Sequence, residues 1–200
     1  MTTDRYGPHT ALLVVDVQND FADPDGGLYV EGGEEIVPLV NEEIAAARAA
    51  GALVVYTQDW HPPTTPHFAK DGGVWPVHCV RDTWGAELHP DLDVAEDALV
   101  VRKGVDGEDG YSGFSVRDPV SGDTTATELG SYLDAAQIRR VVVTGLAGDV
   151  CVKETALDAA RLGYEVVVPL TTTRMVELNE GDGEAAVAAM RAAGAEVEAA

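Results

Sequence analysis

At 200 residues, 46% of them hydrophobic, the chain suits one domain with a sizeable core, and it holds no apolar run long enough to span a bilayer. Lys and Arg number 13 against 35 Asp and Glu, a formal net charge of -22, which argues against nucleic acid or a membrane surface as partner. The opening MTTDRYGPHTALLVVD lacks a basic region followed by a long apolar stretch. Cys79 and Cys151 make no disulfide framework, so a cytoplasmic protein is expected.

Thr10 to Val17 (TALLVVDV) is a nearly continuous apolar run, predicted as a central strand with Asp16 at its carboxyl end. Gln18-Asn19-Asp20-Phe21 and the Gly- and Asp-rich stretch to Gly33 read as a loop. Glu34 to Ala50 is predicted helical, with Ile36, Leu39, Val40 and Ile44 on one face and Gly51 as its stop. Ala52 to Thr57 is a second strand, followed by Gln58-Asp59-Trp60-His61. Pro62 to Leu92 concentrates Pro, Gly, Trp and His, the composition of a long functional loop. Ala98 to Arg102 is a third strand, leading to Lys103-Gly104, and Gly104 to Gly122 is irregular. Thr125 to Ala136 is predicted helical and Arg139 to Thr144 is a fourth strand. A turn of small residues then brings Asp149 to the start of a helix that carries Cys151 in its first turn and stops at Gly163. Glu165 to Leu170, a helix over Gly183 to Ala193 and a short strand over Ala195 to Glu198 complete the pattern. Alternation of strands and helices predicts a three-layer α/β fold, a mostly parallel six-stranded sheet with helices on both faces.

In such a sheet all carboxyl ends lie on one edge, so Asp16, Asp59, Lys103 and Cys151 can converge although far apart in sequence. Two constellations result. Asp16, Lys103 and Cys151 offer a proton acceptor, an ammonium and a thiol, and the N–H groups of the helix start favour a thiolate and can hold an oxyanion beside it. Asp59, His61, His67 and His78 offer one oxygen and two or three nitrogens, a set that suits zinc, iron(II) or manganese. Cys79 reads as buried and His89 as structural.

The motifs VVDVQNDF, DWHPP with His67-Phe68, WPVHCV followed by GAELHP, Lys103-Gly104, YSGF and GLAGDVCVKETALDA resemble the isochorismatase-like cysteine hydrolases, in their nicotinamidase (pyrazinamidase) branch. The match spans nearly the whole chain, so residues 1–200 are expected to form one such domain, with a metal-binding loop insertion around 59–92. The resemblance implies a catalytic triad of Asp16, Lys103 and Cys151, and one divalent metal on Asp59, His61 and His78, with His67 joining in some members. Zinc is placed ahead of iron and manganese. It further implies a cis Leu146-Ala147 peptide, with the Ala147 and Cys151 N–H groups as oxyanion hole, and a pocket of Phe21, Trp75, Tyr111 and Leu146. Gly148, where family members often carry threonine, and the acidic stretch Val105 to Gly110 depart from the pattern.

The activity so implied is hydrolysis of a small aromatic carboxamide, nicotinamide or an analogue such as pyrazinamide, to the acid and ammonia through a thioester, with a place in nicotinamide recycling. A metal-independent amidase acting on maleamate or an N-carbamoyl compound is the alternative on the same fold. A non-catalytic metal-binding or interaction protein is the alternative from another class. The sequence leaves open whether the chain forms a homo-oligomer.

Overall fold

The computed structural model describes residues 5–199. In chain order the strands and helices are β1 (Thr10–Val15), α1 (Asn19–Ala22), α2 (Gly33–Ala49), β2 (Leu53–Asp59), β3 (Leu99–Lys103), β4 (Ser115–Arg117), β5 (Thr124–Ala126), α3 (Leu129–Ala135), β6 (Arg140–Leu146), α4 (Lys153–Arg161), β7 (Glu165–Pro169), β8 (Thr173–Arg174), α5 (Asp182–Ala192) and β9 (Glu196–Glu198). Six of these strands run in the order β3-β2-β1-β6-β7-β9, and all neighbouring pairs are parallel. The expected six-stranded sheet is therefore present, and the two-residue β8 adds a seventh strand beside β6.

The apolar continuity of β1 reflects burial on both faces. Leu12 and Val14 join one core cluster with Ile36, Val40 and Ile44 of α2, while Ala11, Leu13 and Val15 join the other with Leu129, Leu133, Ala156 and Met190 from α3, α4 and α5. Fully burying a Leu- or Val-sized side chain contributes roughly 1.5–3 kcal/mol, so the two clusters bind the three layers together.

Two local departures from the expected pattern have physical causes. Ser115–Arg117 and Thr124–Ala126 pair as an antiparallel hairpin, which delays the helix expected from Thr125 until Leu129. The segment after β6 begins as a π-helical turn, Gly148–Val152, before regular α-helix starts at Lys153. Such a turn widens the backbone locally and is frequent at functional sites.

The strand order sets the site. The chain builds outward from β1 through β2 to β3, then returns to the other side of β1 with β6 and builds the opposite way. The crevice where the order reverses lies between the carboxyl ends of β1 and β6, which is where open α/β sheets bind ligands. Gly145 permits the close approach there: its φ is +108°, and a Cβ would stand 2.0 Å from the Val15 carbonyl oxygen. No helix of the described residues is long and apolar enough to cross a membrane.

Candidate active site and metal centre

Asp16 leaves β1 with a left-handed backbone, φ 49°, and its side chain is fully buried. Thr57 Oγ1, from β2, donates to its Oδ1 at 2.5 Å, and Lys103 Nζ, from the end of β3, donates to its Oδ2 at 2.6 Å. Lys103 also stands 2.9 Å from Asp59 Oδ1 and donates to the Gly110 carbonyl. One buried ammonium thus compensates two buried carboxylates. The sulfur of Cys151 and one carboxylate oxygen each of Asp16 and Asp59 lie within 4.8 Å of one another. The sequence-predicted triad is therefore gathered at one point on the sheet edge.

Charge at this point is set by burial and by Lys103. Burial raises the Asp16 carboxyl against the pull of the Lys103 ammonium, and with Asp59 adding repulsion it stands at about 6. Burial works against Asp59 too, but Lys103, then His61 and His78, hold its carboxyl well below the usual range. Burial pushes the Cys151 thiol well up, opposed by Lys103 and reinforced by Asp16 and Asp59. A thiolate at rest, expected from the helix start alone, is disfavoured in this buried setting; the sulfur needs a proton acceptor, and Asp16 is adjacent.

The Leu146-Ala147 peptide is cis. The N–H groups of Val150 and Val152 both bond to the Ala147 carbonyl, at 3.1 and 3.0 Å, which folds the turn around Cys151. Gly148 has a local reason. A Cβ there would meet Met175 Sδ at 2.6 Å and Thr173 Oγ1 at 2.9 Å, so a side chain at this position fits only if those two side chains give way.

On the other side of Asp59 the three imidazoles of His61, His67 and His78 bring ring nitrogens within 4.8 Å of one another. Asp59 Oδ2 lies 3.8 Å from His61 Nε2 and 3.9 Å from His78 Nε2. All four side chains are buried. His78 Nδ1 donates to the Pro76 carbonyl at 2.7 Å, which directs its other nitrogen inward. Burial drives the His78 imidazole down to about 4, and it also lowers that of His67, so both favour the neutral form a metal requires. Neither ring nitrogen of the buried His61 has a hydrogen-bond partner among the described residues. Buried polar atoms left in this state are costly unless something binds them. The donor set therefore fits one divalent cation held by nitrogen and oxygen.

The cleft between the two constellations is lined by Phe21, Trp75, Tyr111, Ala147 and Cys151, with Asp59, His67 and His78 at its polar end. Trp75 Nε1 donates to the Tyr111 hydroxyl at 2.9 Å, fixing two of these walls together. Leu146 lies in the core beneath, fully buried, and the adjoining Ala147 takes the place on the cleft wall. Cys79 is buried and its thiol is pushed well up by burial; His89 is buried outside the cleft.

Several residues that shape the site were assigned no role from the sequence, although Gln18 and Asp20 stand within the VVDVQNDF motif. Gln18 accepts from the Asp59 N–H and donates to the Asp59 carbonyl, both at 2.8 Å, and so fixes the metal-side carboxylate from its backbone. Asp20 takes the N–H groups of Gly27 and Cys79, at 2.8 and 2.6 Å, tying the first loop to the chain beside His78. Asp109 holds His67 Nδ1 at 2.7 Å.

The isochorismatase domain matches residues 10–200. The chain belongs to the isochorismatase family. Within that family it is 38% identical to the nicotinamidase of Escherichia coli, over 94% of this chain and 93% of that one. Among solved structures it superposes on the pyrazinamidase of Pyrococcus horikoshii in complex with zinc with a TM-score of 0.83, at 38% identity and covering 95% of this chain and 98% of that chain. The L. infantum protein PnC1 in complex with nicotinate gives a TM-score of 0.86 at 35% identity, covering 95% of this chain and 92% of that one.

Proposed function

We propose that this isochorismatase-family chain is a metal-assisted cysteine amidohydrolase that converts nicotinamide, and analogues such as pyrazinamide, to the carboxylic acid and ammonia. The observation that carries the reading is the pairing, across one aromatic-walled cleft, of a thiol beside a buried Asp-Lys pair with a three-imidazole, one-carboxylate donor set. The named relatives support it. Asp59, His61, His67 and His78 would hold the ion, which as a Lewis acid would bind and orient a basic ring nitrogen of the substrate; zinc suits these donors best. A metal-independent amidase acting on maleamate or an N-carbamoyl compound has no use for such a donor set, and a silent binding protein has none for the Asp16-Lys103-Cys151 cluster.

The steps follow from the residues. Phe21 and Trp75 flank the flat ring, and Tyr111 closes the wall. Cys151 Sγ attacks the amide carbon as its proton passes to Asp16, and the oxyanion rests on the Ala147 and Cys151 N–H groups. Collapse breaks the C–N bond, and Asp16 returns the proton to the departing ammonia. A water then gives a proton to Asp16 as it attacks the thioester, releasing the acid and the thiol. Lys103 keeps Asp16 oriented and offsets its charge throughout.

Ammonia release from nicotinamide and from maleamate, before and after chelation and alongside elemental analysis, tests the proposal. Turnover of nicotinamide that vanishes on chelation and returns with zinc is expected. Equal maleamate turnover in both states, with nicotinamide untouched, would overturn it. The Asp16 carboxyl must start ionised, so kcat/KM should fall about tenfold per pH unit below a pH of about 6. A profile flat to pH 5 would remove Asp16 as the proton acceptor.

A further inference from the structure

The acidic segment before Tyr111 has a use that the reaction itself does not assign to it. The geometry points to Asp109 as the positioning residue that makes His67 a metal ligand. His67 Nδ1 and Asp109 Oδ1 are 2.7 Å apart, with both side chains largely buried. A carboxylate accepts, so Nδ1 carries the proton, and Nε2 is the nitrogen left for a cation. The ring is stacked on His61, with centroids 4.6 Å apart and planes 20° from parallel. Asp109 is itself held: its backbone exchanges two hydrogen bonds with Arg117 at 2.8 and 2.9 Å, and the Arg117 guanidinium lies 3.7 Å from Oδ2. The segment is also tied to the histidine's own loop, because Thr65 Oγ1 donates to the Gly107 carbonyl at 2.7 Å and accepts from the His67 N–H at 3.2 Å. The β4–β5 hairpin therefore braces Asp109, and Asp109 sets the tautomer and orientation of His67. Outer-shell carboxylates of this kind typically change metal affinity by 10–100-fold.

The inference rests on the metal centre proposed above, and its test reads affinity rather than turnover. Zinc is titrated into the metal-free full chain in competition with a chromophoric chelator, for the parent protein, Asp109→Ala, Asp109→Asn, His67→Ala and the double variant Asp109→Ala/His67→Ala. Asp109→Ala should weaken zinc binding by about 10–100-fold. Asp109→Asn, which still offers an oxygen to Nδ1–H, should keep most of it. In the His67→Ala background, Asp109→Ala should have no further effect. An unchanged affinity in Asp109→Ala overturns the inference. So does an equal loss in both backgrounds, which would make Asp109 a support for the loop and for Gly110 rather than for the imidazole. So does a parent protein that takes up no zinc. A parent protein that binds zinc but leaves nicotinamide intact would sink the proposed reaction and leave the assignment of Asp109 standing.

Discussion

Cys151→Ala should bind zinc as the parent does and release ammonia from nicotinamide at least about 10⁴-fold more slowly, in the range that loss of the nucleophile costs other covalent hydrolases. The size of the effect follows from the absence of a substitute. Cys79, the other thiol, is buried and outside the cleft lining, so Cys151 is the one thiol among the residues that line it. The fold should tolerate the change, since the removed group is one sulfur atom. Single-turnover ammonia release on metal-loaded protein checks it, with the parent's thioester trapped by acid quench. Substantial amidase activity in Cys151→Ala would end the thioester scheme.

Lys103→Met should be damaged more broadly. Its ammonium is fully buried between Asp16 and Asp59, and burial would lower its proton affinity were the two carboxylates not raising it well above the usual value. Replacing it with an apolar chain of similar length leaves two buried carboxylates uncompensated. Breaking one partner from a buried ion pair costs about 3–5 kcal/mol. For a chain of this size that is on the order of 10 °C in Tm. The sign of the pH dependence follows from Asp16. Its carboxyl, raised in the fold to about 6, should rise further without the ammonium. A carboxyl whose folded pKa is raised destabilises the fold above that pKa and is relieved as acid protonates it. The deficit should therefore be largest at neutral pH and shrink on acidification. Thermal melts of metal-free parent and variant, from pH 8 to pH 5, test this; coincident melts at neutral pH would show that Lys103 is not the compensating charge.

Where the sequence was informative, the reason is periodic and local. Val141, Val142 and Val143, or Leu12 to Val15, are apolar without alternation because both faces are covered, so the strands and their carboxyl ends could be located from the residues. Once the ends share an edge, Asp16, Asp59, Lys103 and Cys151 meet whatever lies between them. The contacts that finish the site leave no such trace. Thr57 reaches Asp16 across 41 positions and Asp109 reaches His67 across 42, and each is a single polar residue with no pattern around it. The β4–β5 hairpin was hidden for another reason: β5 is exposed throughout, so its Thr-Thr-Ala carries none of the apolar alternation that marks a half-buried strand. The π-helical turn was hidden because its spacing differs by one residue from the α-helix that continues it.

The crowded contact at Gly148 has a consequence for how this sequence can drift. Met175 and Thr173 fill the volume that a side chain at 148 would occupy, so growth at 148 is tied to what stands at 175. A larger residue at 148 is therefore accommodated by a turn of the Met175 thioether or by a slimmer residue at 175, with the backbone of the turn left in place.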